Sequence, residues 1–304
     1  MDYITRINLN TDCGDNRAQL IDFCLMKEKQ YMAIGWSCSY SFKKVTMFSD
    51  YKSFYDSTWE YIKSNKGRIN PALNLFNDVK KDDLFWTRDL QGFYWICRAK
   101  DVAEPMLKEE LDVGAVVPVE AFRYGLEAPG EIKASFNRAN GGIVQKIYTP
   151  LMINYSKHIF NSLKNENYYS DIDKTEGDII ANLPDFDLEE LVISYIQIAK
   201  DYYLLSNSIA NKSTTPLIEG EFVSRDIDNP LRAVVQVKGE KKEIYTDEYK
   251  AYLDAGYRVY LYSGKEIIGT TDGFDIITKD ELRDFYTKYK AILPESITKW
   301  EKLF

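Results

Sequence analysis

Read for apolar and polar positions, the first 163 residues give short strands broken by a few helices. Residues 31–40, YMAIGWSCSY, alternate with a period of two, as a strand does. Residues 51–65 have helical spacing, with Phe54, Trp59 and Ile62 on the apolar side. In 82–101, DDLFWTRDLQGFYWICRAKD, two aromatic-rich runs flank a turn at Asp89-Leu90-Gln91-Gly92, which predicts a β-hairpin. Residues 113–122 and 141–148 read as further strands, and 154–163 as a closing helix. The pattern predicts a small, curved, mostly β domain over 1–163.

Apolar periodicity then lapses. Residues 164–185, KNENYYSDIDKTEGDIIANLPD, are polar and acidic, which predicts a linker. Beyond it, 187–205 read as one amphipathic helix, with Asp187 as N-cap and Glu190 completing a capping box. Strands are expected at 216–224 and 232–238, joined by DIDNP. A short helix over 247–256 ends at Gly256, a strand follows at 257–263, and a helix at 279–293. The order α–β–β–α–β–α over 186–304 predicts a mixed sheet with helices on its faces.

Composition narrows the chemistry. The chain has 304 residues, 45% hydrophobic and 28% charged, an ordinary soluble balance. Its apolar runs are too short to span a bilayer, and its start lacks the basic flank and apolar core of a signal peptide, so a cytoplasmic protein with no membrane partner is expected. Cys13, Cys24, Cys38 and Cys97 show no C-x-x-C spacing, which argues against zinc and for free thiols. His158 is the only histidine, so two-histidine metal sites are excluded, and its helical setting marks it as a packed residue. The net charge of −8 argues against a uniformly basic surface but leaves room for a local groove.

One strand breaks its own pattern. In AVVQVK, Ala233, Val235 and Val237 share a face, and Val234, Gln236 and Lys238 share the other. An amide and an ammonium two residues apart, beside a core, are costly unless something there needs them. A carboxylate precedes them, in Glu219-Gly220, 17 residues before Gln236.

Glu219-Gly220 and Gln236-Val237-Lys238, with an acidic helix before and an α–β unit after, resemble the PD-(D/E)xK nuclease superfamily. They are most similar to Mrr-type and modification-dependent restriction endonucleases of the Gln-x-Lys kind, over residues 186–270. The resemblance implies Mg²⁺ or Mn²⁺ held by Glu219, the Gln236 amide and the Val237 carbonyl. It implies that Glu189 assists from the helix and that Lys238 orients the attacking water and stabilises charge on the phosphate. The usual Asp is Glu219 here, and Glu221, Asp226 and Asp228 stay open as alternatives for it.

MAIGWS and KDDLFWTRDLQGFYWICRAKD resemble the PUA-like domains, including the EVE and YTH groups, over residues 1–150. That resemblance implies an aromatic pocket for a base taken out of its stack. Trp36, Trp86, Tyr40 and Trp95 are the candidate base-binding residues, with Phe85 and Tyr94 beside them. Lys43, Lys44, Arg88, Arg98 and Arg138 are candidate phosphate contacts.

The fold expected is therefore α+β in two domains: a PUA-like curved β domain over 1–163, a linker over 164–185, and a restriction-endonuclease-like α/β domain with a mixed sheet over 186–304. The function expected is metal-dependent cleavage of DNA, modified DNA in particular, in restriction or anti-phage defence, by a homodimer or higher oligomer. The alternative is a modified-base or RNA binding protein whose nuclease fold is an inactive scaffold.

Overall fold

The computed structural model describes residues 1–37, 47–57, 70–137, 141–173, 177–206 and 217–303, without the side chains of 51 and 54–57. Tyr40, Lys43, Lys44, Phe54, Trp59, Ile62 and Arg138 fall outside what is described. The chain is mixed α+β and divides into two compact units. One comprises Met1–Ala128 and Ile132–Asp173, the other Pro129–Glu131 and Lys174–Phe304.

The first unit is built on seven strands: β1 (Ile4–Ile7), β2 (Gln30–Ile34), β3 (Leu84–Arg88), β4 (Tyr94–Ala99), β5 (Glu104–Lys108), β6 (Val113–Gly125) and β7 (Val144–Ile147). They form one curled sheet in the order β2-β6-β4-β3-β1-β7, with β5 also on β6. Among the described residues only β1 and β3 run parallel; the other pairs are antiparallel. The hairpin expected over 82–101 forms as β3 and β4. Its turn is held by Asp89, whose carboxylate accepts from the Gln91 and Phe93 amides and from Trp95 Nε1, each at 2.9 Å.

The curl comes from β6, whose 13 residues serve β5, β2 and β4 in turn. Its concave side closes over a core of Ile7, Leu20, Met32, Phe76, Phe85, Trp95, Cys97 and Val117. The helix Pro150–Lys164 buries Met152, Tyr155, Ile159 and Phe160 and packs on β1, β4 and β6. His158 stands half-buried on it. Strand β2 stops sooner than the alternation suggests. Gly35 follows it, and Trp36 takes left-handed backbone (φ 68°), which ends the ladder.

The second unit starts with the helix Asp185–Ala199. The expected helix over 187–205 is shorter because Asp201 turns left-handed (φ 59°) and Tyr202–Leu204 becomes β8. The N-cap is Pro184, not Asp187. Asp187 is instead buried, 1% exposed, and its carboxylate accepts from Trp300 Nε1 at 3.1 Å, so the expected capping box is absent. A capping box does form later: the Thr278 hydroxyl accepts from the Glu281 amide at 3.2 Å, and the Thr278 amide donates to Glu281 Oε2 at 2.9 Å.

Four more strands complete the sheet: β9 (Gly220–Ser224), β10 (Arg232–Lys238), β12 (Arg258–Ser263) and β14 (Asp275–Ile276), in the order β14-β12-β10-β9-β8. Strands β11 (Ile244–Tyr245) and β13 (Ile267–Ile268) pair separately. From β8 to β10 the strands are antiparallel; the helix Lys250–Asp254 then crosses over so that β12 lies parallel to β10. The observed order differs from the expected one by strand β8, hidden in an apparently continuous apolar run, and by the two-residue strands β11, β13 and β14, too short for the pattern to mark. Val234, Val259, Leu261, Ile244 and Tyr249 make one apolar cluster against this sheet. Among the described residues no helix is long and apolar enough to cross a membrane.

Candidate active site

Gln236 lies beside Leu261 in the parallel β10–β12 register, on the face that carries Val234 and Val259. It is 1% exposed, so its amide must find partners within the protein. With the nitrogen donating to the Leu217 carbonyl (2.5 Å) and the oxygen accepting from Lys238 Nζ (2.5 Å), both ends are satisfied. Turned over, the nitrogen would face Glu219 Oε1 at 3.4 Å and the Val237 carbonyl at 3.3 Å. Orientation follows from partners, and the first arrangement satisfies both ends of the amide. It brings the amide oxygen to 3.4 Å from Glu219 Oε1 and 3.3 Å from the Val237 oxygen.

The Gln236 amide oxygen thus has a carboxylate oxygen and a main-chain oxygen beside it at the end of β10. Neighbouring ligands of an octahedral cation lie about 3 Å apart for 2.0–2.1 Å bonds and about 3.3–3.7 Å apart for 2.3–2.6 Å bonds. The separations of 3.3 and 3.4 Å match the longer bonds, so the residues fit a hard divalent cation, with the Gln236 oxygen drawing in by a few tenths of an ångström for Mg²⁺. Among the described residues no group of three or more His, Cys, Asp or Glu side chains is placed to hold a metal. A cation here would draw on one carboxylate, one amide and one main-chain carbonyl.

Glu219 reaches this point just past the last regular β9–β10 pair, Gly220 with Val235, where its amide also donates to the Val235 carbonyl at 2.7 Å. Gly220 lies close under β8: a Cβ there would stand 3.0 Å from Leu204 Cδ1, whose side-chain tip would have to shift. Lys238 Nζ lies 3.9 Å from Glu219 Oε1, with the side chains 30% and 13% exposed, so solvent reaches the pair. Burial, with the charges of Glu248 and Glu219 nearby, pushes the Tyr249 hydroxyl up to about 12. It stays neutral.

The acids left open in the sequence are separated by geometry. Glu221 accepts from Arg232 Nη1 at 3.0 Å and from Tyr257 OH at 3.5 Å. Asp226 caps its own turn, accepting from the Asp228 and Asn229 amides at 3.1 and 3.2 Å. Glu219 is the acid with contacts to both Gln236 and Lys238. Glu189 is half-buried on the helix Asp185–Ala199, one turn from Asp185. Asp185, in the first turn of that helix, packs its carboxylate against the end of β10, with Oδ1 2.7 Å from where a Cβ of Gly239 would stand.

The aromatic candidates of the first unit do not come together as expected. Trp86 is fully buried, donates from Nε1 to Ser156 Oγ at 2.9 Å, and meets Tyr124 edge-on at 5.3 Å. Trp95 is 6% exposed and tied to Asp89. Both rings are core, because the sheet is covered on both sides and alternation buries either face. Phe85 and Tyr94 are buried with them. Trp36 differs: it is half-buried, and its amide donates to Asp112 Oδ2 at 3.2 Å.

Arg88 donates to Asn137 Oδ1 at 3.2 Å, with its guanidinium over the Phe136 and Tyr94 rings at 5.4 and 5.9 Å. Arg98 is 8% exposed and bonds Asp82 at 2.7 Å and Glu120 at 2.8 Å, so it is committed to an internal network and not to a phosphate. An open cleft of about 810 Å³ in this unit is lined by Tyr3, Lys80, Asp82, Lys146, Tyr168 and Asp171, among others, and by none of the aromatic candidates. Cys13, Cys24 and Cys97 are buried free thiols, and burial pushes the Cys24 thiol up.

No protein-family profile, curated protein or solved structure matches this chain.

Proposed function

We propose that the second unit is a metal-dependent endodeoxyribonuclease of the PD-(D/E)xK kind and the first a PUA-like reader of a modified base, together serving restriction or anti-phage defence in the cytoplasm. The observation that carries this reading is the convergence of Glu219 Oε1, the Gln236 amide oxygen, the Val237 carbonyl and Lys238 Nζ at the end of β10. The strand order agrees, with a helix first, the acid-bearing strand beside β10, and an α–β crossover after it. Bound Mg²⁺ or Mn²⁺ would polarise the phosphate and lower the pKa of a water.

The chain's own residues would do the rest. Glu219 supplies the one formal charge among the ligands. Gln236 is locked by Leu217, which fixes the direction of its oxygen. Lys238 brings a mobile ammonium to the developing charge on phosphate oxygens. Cutting both strands needs two such sites, which a homodimer or higher oligomer supplies. In the first unit Trp36 is the ring best placed to meet a base, since Trp86 and Trp95 are core.

Cleavage tests the reading. Wild type and Glu219→Ala would be incubated with Mg²⁺ or Mn²⁺ and three DNAs: unmodified, cytosine-methylated, and glucosyl-hydroxymethyl-modified. Metal-dependent cutting of a modified DNA, lost in the variant, supports both assignments. Cutting of all three removes the reader. The presence of only one carboxylate among the converging oxygens favours a second reading, a modified-base or RNA binding protein on an inactive scaffold. Absence of cutting, with DNA or RNA still bound, would select it.

A further inference from the structure

Two of the oxygens that would hold a cation already face an ammonium. Lys238 Nζ donates to the Gln236 amide oxygen at 2.5 Å and stands 3.9 Å from Glu219 Oε1. A divalent ion bound to those same oxygens would lie within about 4 Å of it, where two positive centres repel strongly. The groups in contact carry no net charge to offset this, and Glu248 and Glu189 lie outside that contact set. Glu219 contributes −1, Lys238 contributes +1, and the Gln236 amide and the neutral Tyr249 hydroxyl contribute nothing. An acid in place of Gln236 would leave one negative charge to spare.

The strand and the side chain are held differently. The Lys238 carbonyl accepts from the Gly264 amide at 2.9 Å, which pins the main chain. The ammonium is on a four-carbon stem, 30% exposed, and free to swing outward. A DNA phosphate arriving at the site would give the ammonium an anion and the metal an additional oxygen.

We propose that Lys238 occupies the cation's place in the free protein, so that divalent metal binds tightly only once a DNA phosphate has drawn the ammonium away. The proposal rests on the nuclease reading and adds an order of binding, DNA before metal. That order keeps the metal out of the site until substrate is present.

Calorimetry with Mn²⁺ tests it, on wild type, Lys238→Met, Lys238→Arg and Gln236→Glu, each checked by thermal melting. Lys238→Met is expected to bind Mn²⁺ at least about tenfold more tightly than wild type, and Lys238→Arg to behave as wild type. A non-cleavable phosphorothioate duplex is expected to raise the wild-type affinity about tenfold or more, and that of Lys238→Met by less than about threefold. If wild type binds Mn²⁺ and Lys238→Met binds no better, the ammonium is a bystander; the proposal fails and the nuclease reading stands. Should Lys238→Met not fold, Gln236→Glu decides: about tenfold tighter binding with a smaller duplex effect supports the proposal, and unchanged binding overturns it. If no protein binds Mn²⁺ with or without duplex, the metal site itself is disproved and the proposal falls with it.

Discussion

Glu219 and Gln236, 17 residues apart, meet through their side chains at the end of the β9–β10 ladder, where Glu219 Oε1 and the Gln236 amide oxygen stand 3.4 Å apart. Glu221, two residues along β9 from Glu219, is turned to Arg232 and Tyr257 instead. Substituting Glu219 by Gln should therefore abolish metal-dependent cleavage by about a hundredfold or more, while Glu221→Gln and Asp226→Ala retain most of it. Plasmid nicking and linearisation rates for the three variants check this. Equal losses for Glu219 and Glu221 would contradict the assignment of the ligand.

The turn after Lys238 depends on a glycine in another loop. A Cβ on Gly264 would stand 2.9 Å from the Glu240 amide nitrogen and 3.1 Å from the Gly239 carbonyl carbon, both main chain. Backbone cannot yield as a side-chain tip can. Gly264→Ala is expected to cost about 1–3 kcal/mol in urea unfolding and to lower the cleavage rate by moving Lys238. Gly239→Ala meets only the Asp185 carboxylate tip, at 2.7 Å, and should cost less.

Trp86 gives a test of core against reader. Its indole is fully buried and bonded to Ser156, so Trp86→Phe should lower stability by about 1–3 kcal/mol and leave discrimination among modified DNAs unchanged. Trp36→Ala is expected to do the reverse, changing discrimination more than stability. Melting temperatures and competition binding on the modified and unmodified duplexes separate the two.

Acid should weaken the first unit through Glu120. Burial pushes its carboxyl up, but hydrogen bonds from Arg98 and Lys164 outweigh that and hold it below the usual carboxylate range. Its folded pKa is thus depressed. The stabilisation is present above the unfolded pKa, about 4.3, and is lost as pH falls through the lower folded value. Glu120→Gln should cost about 1–3 kcal/mol at pH 7 by leaving Arg98 short of a partner, and the cost should shrink at about pH 3. Urea midpoints at the two pH values measure it. An equal cost at both would show that the charge of Glu120 contributes nothing to it.

The sequence by itself determined the local elements whose signals are local. The β3–β4 hairpin is written in two aromatic runs and a Gly turn. The face shared by Gln236 and Lys238 follows from the period of two. Tertiary structure decided what depends on distant partners. The strand Tyr202–Leu204 looks like the end of a helix until Asp201 turns left-handed and β9 offers its edge. Asp187 has the sequence of a cap, but packing buries it against Trp300, 113 residues away. Trp86 and Trp95 could not be sorted from pocket residues, because burial on a curled sheet depends on what covers each side. Among Glu219, Glu221 and Asp226, only strand register and turn geometry choose the acid beside Gln236. Composition and periodicity are properties of a segment, whereas a site is a property of segments that folding brings together.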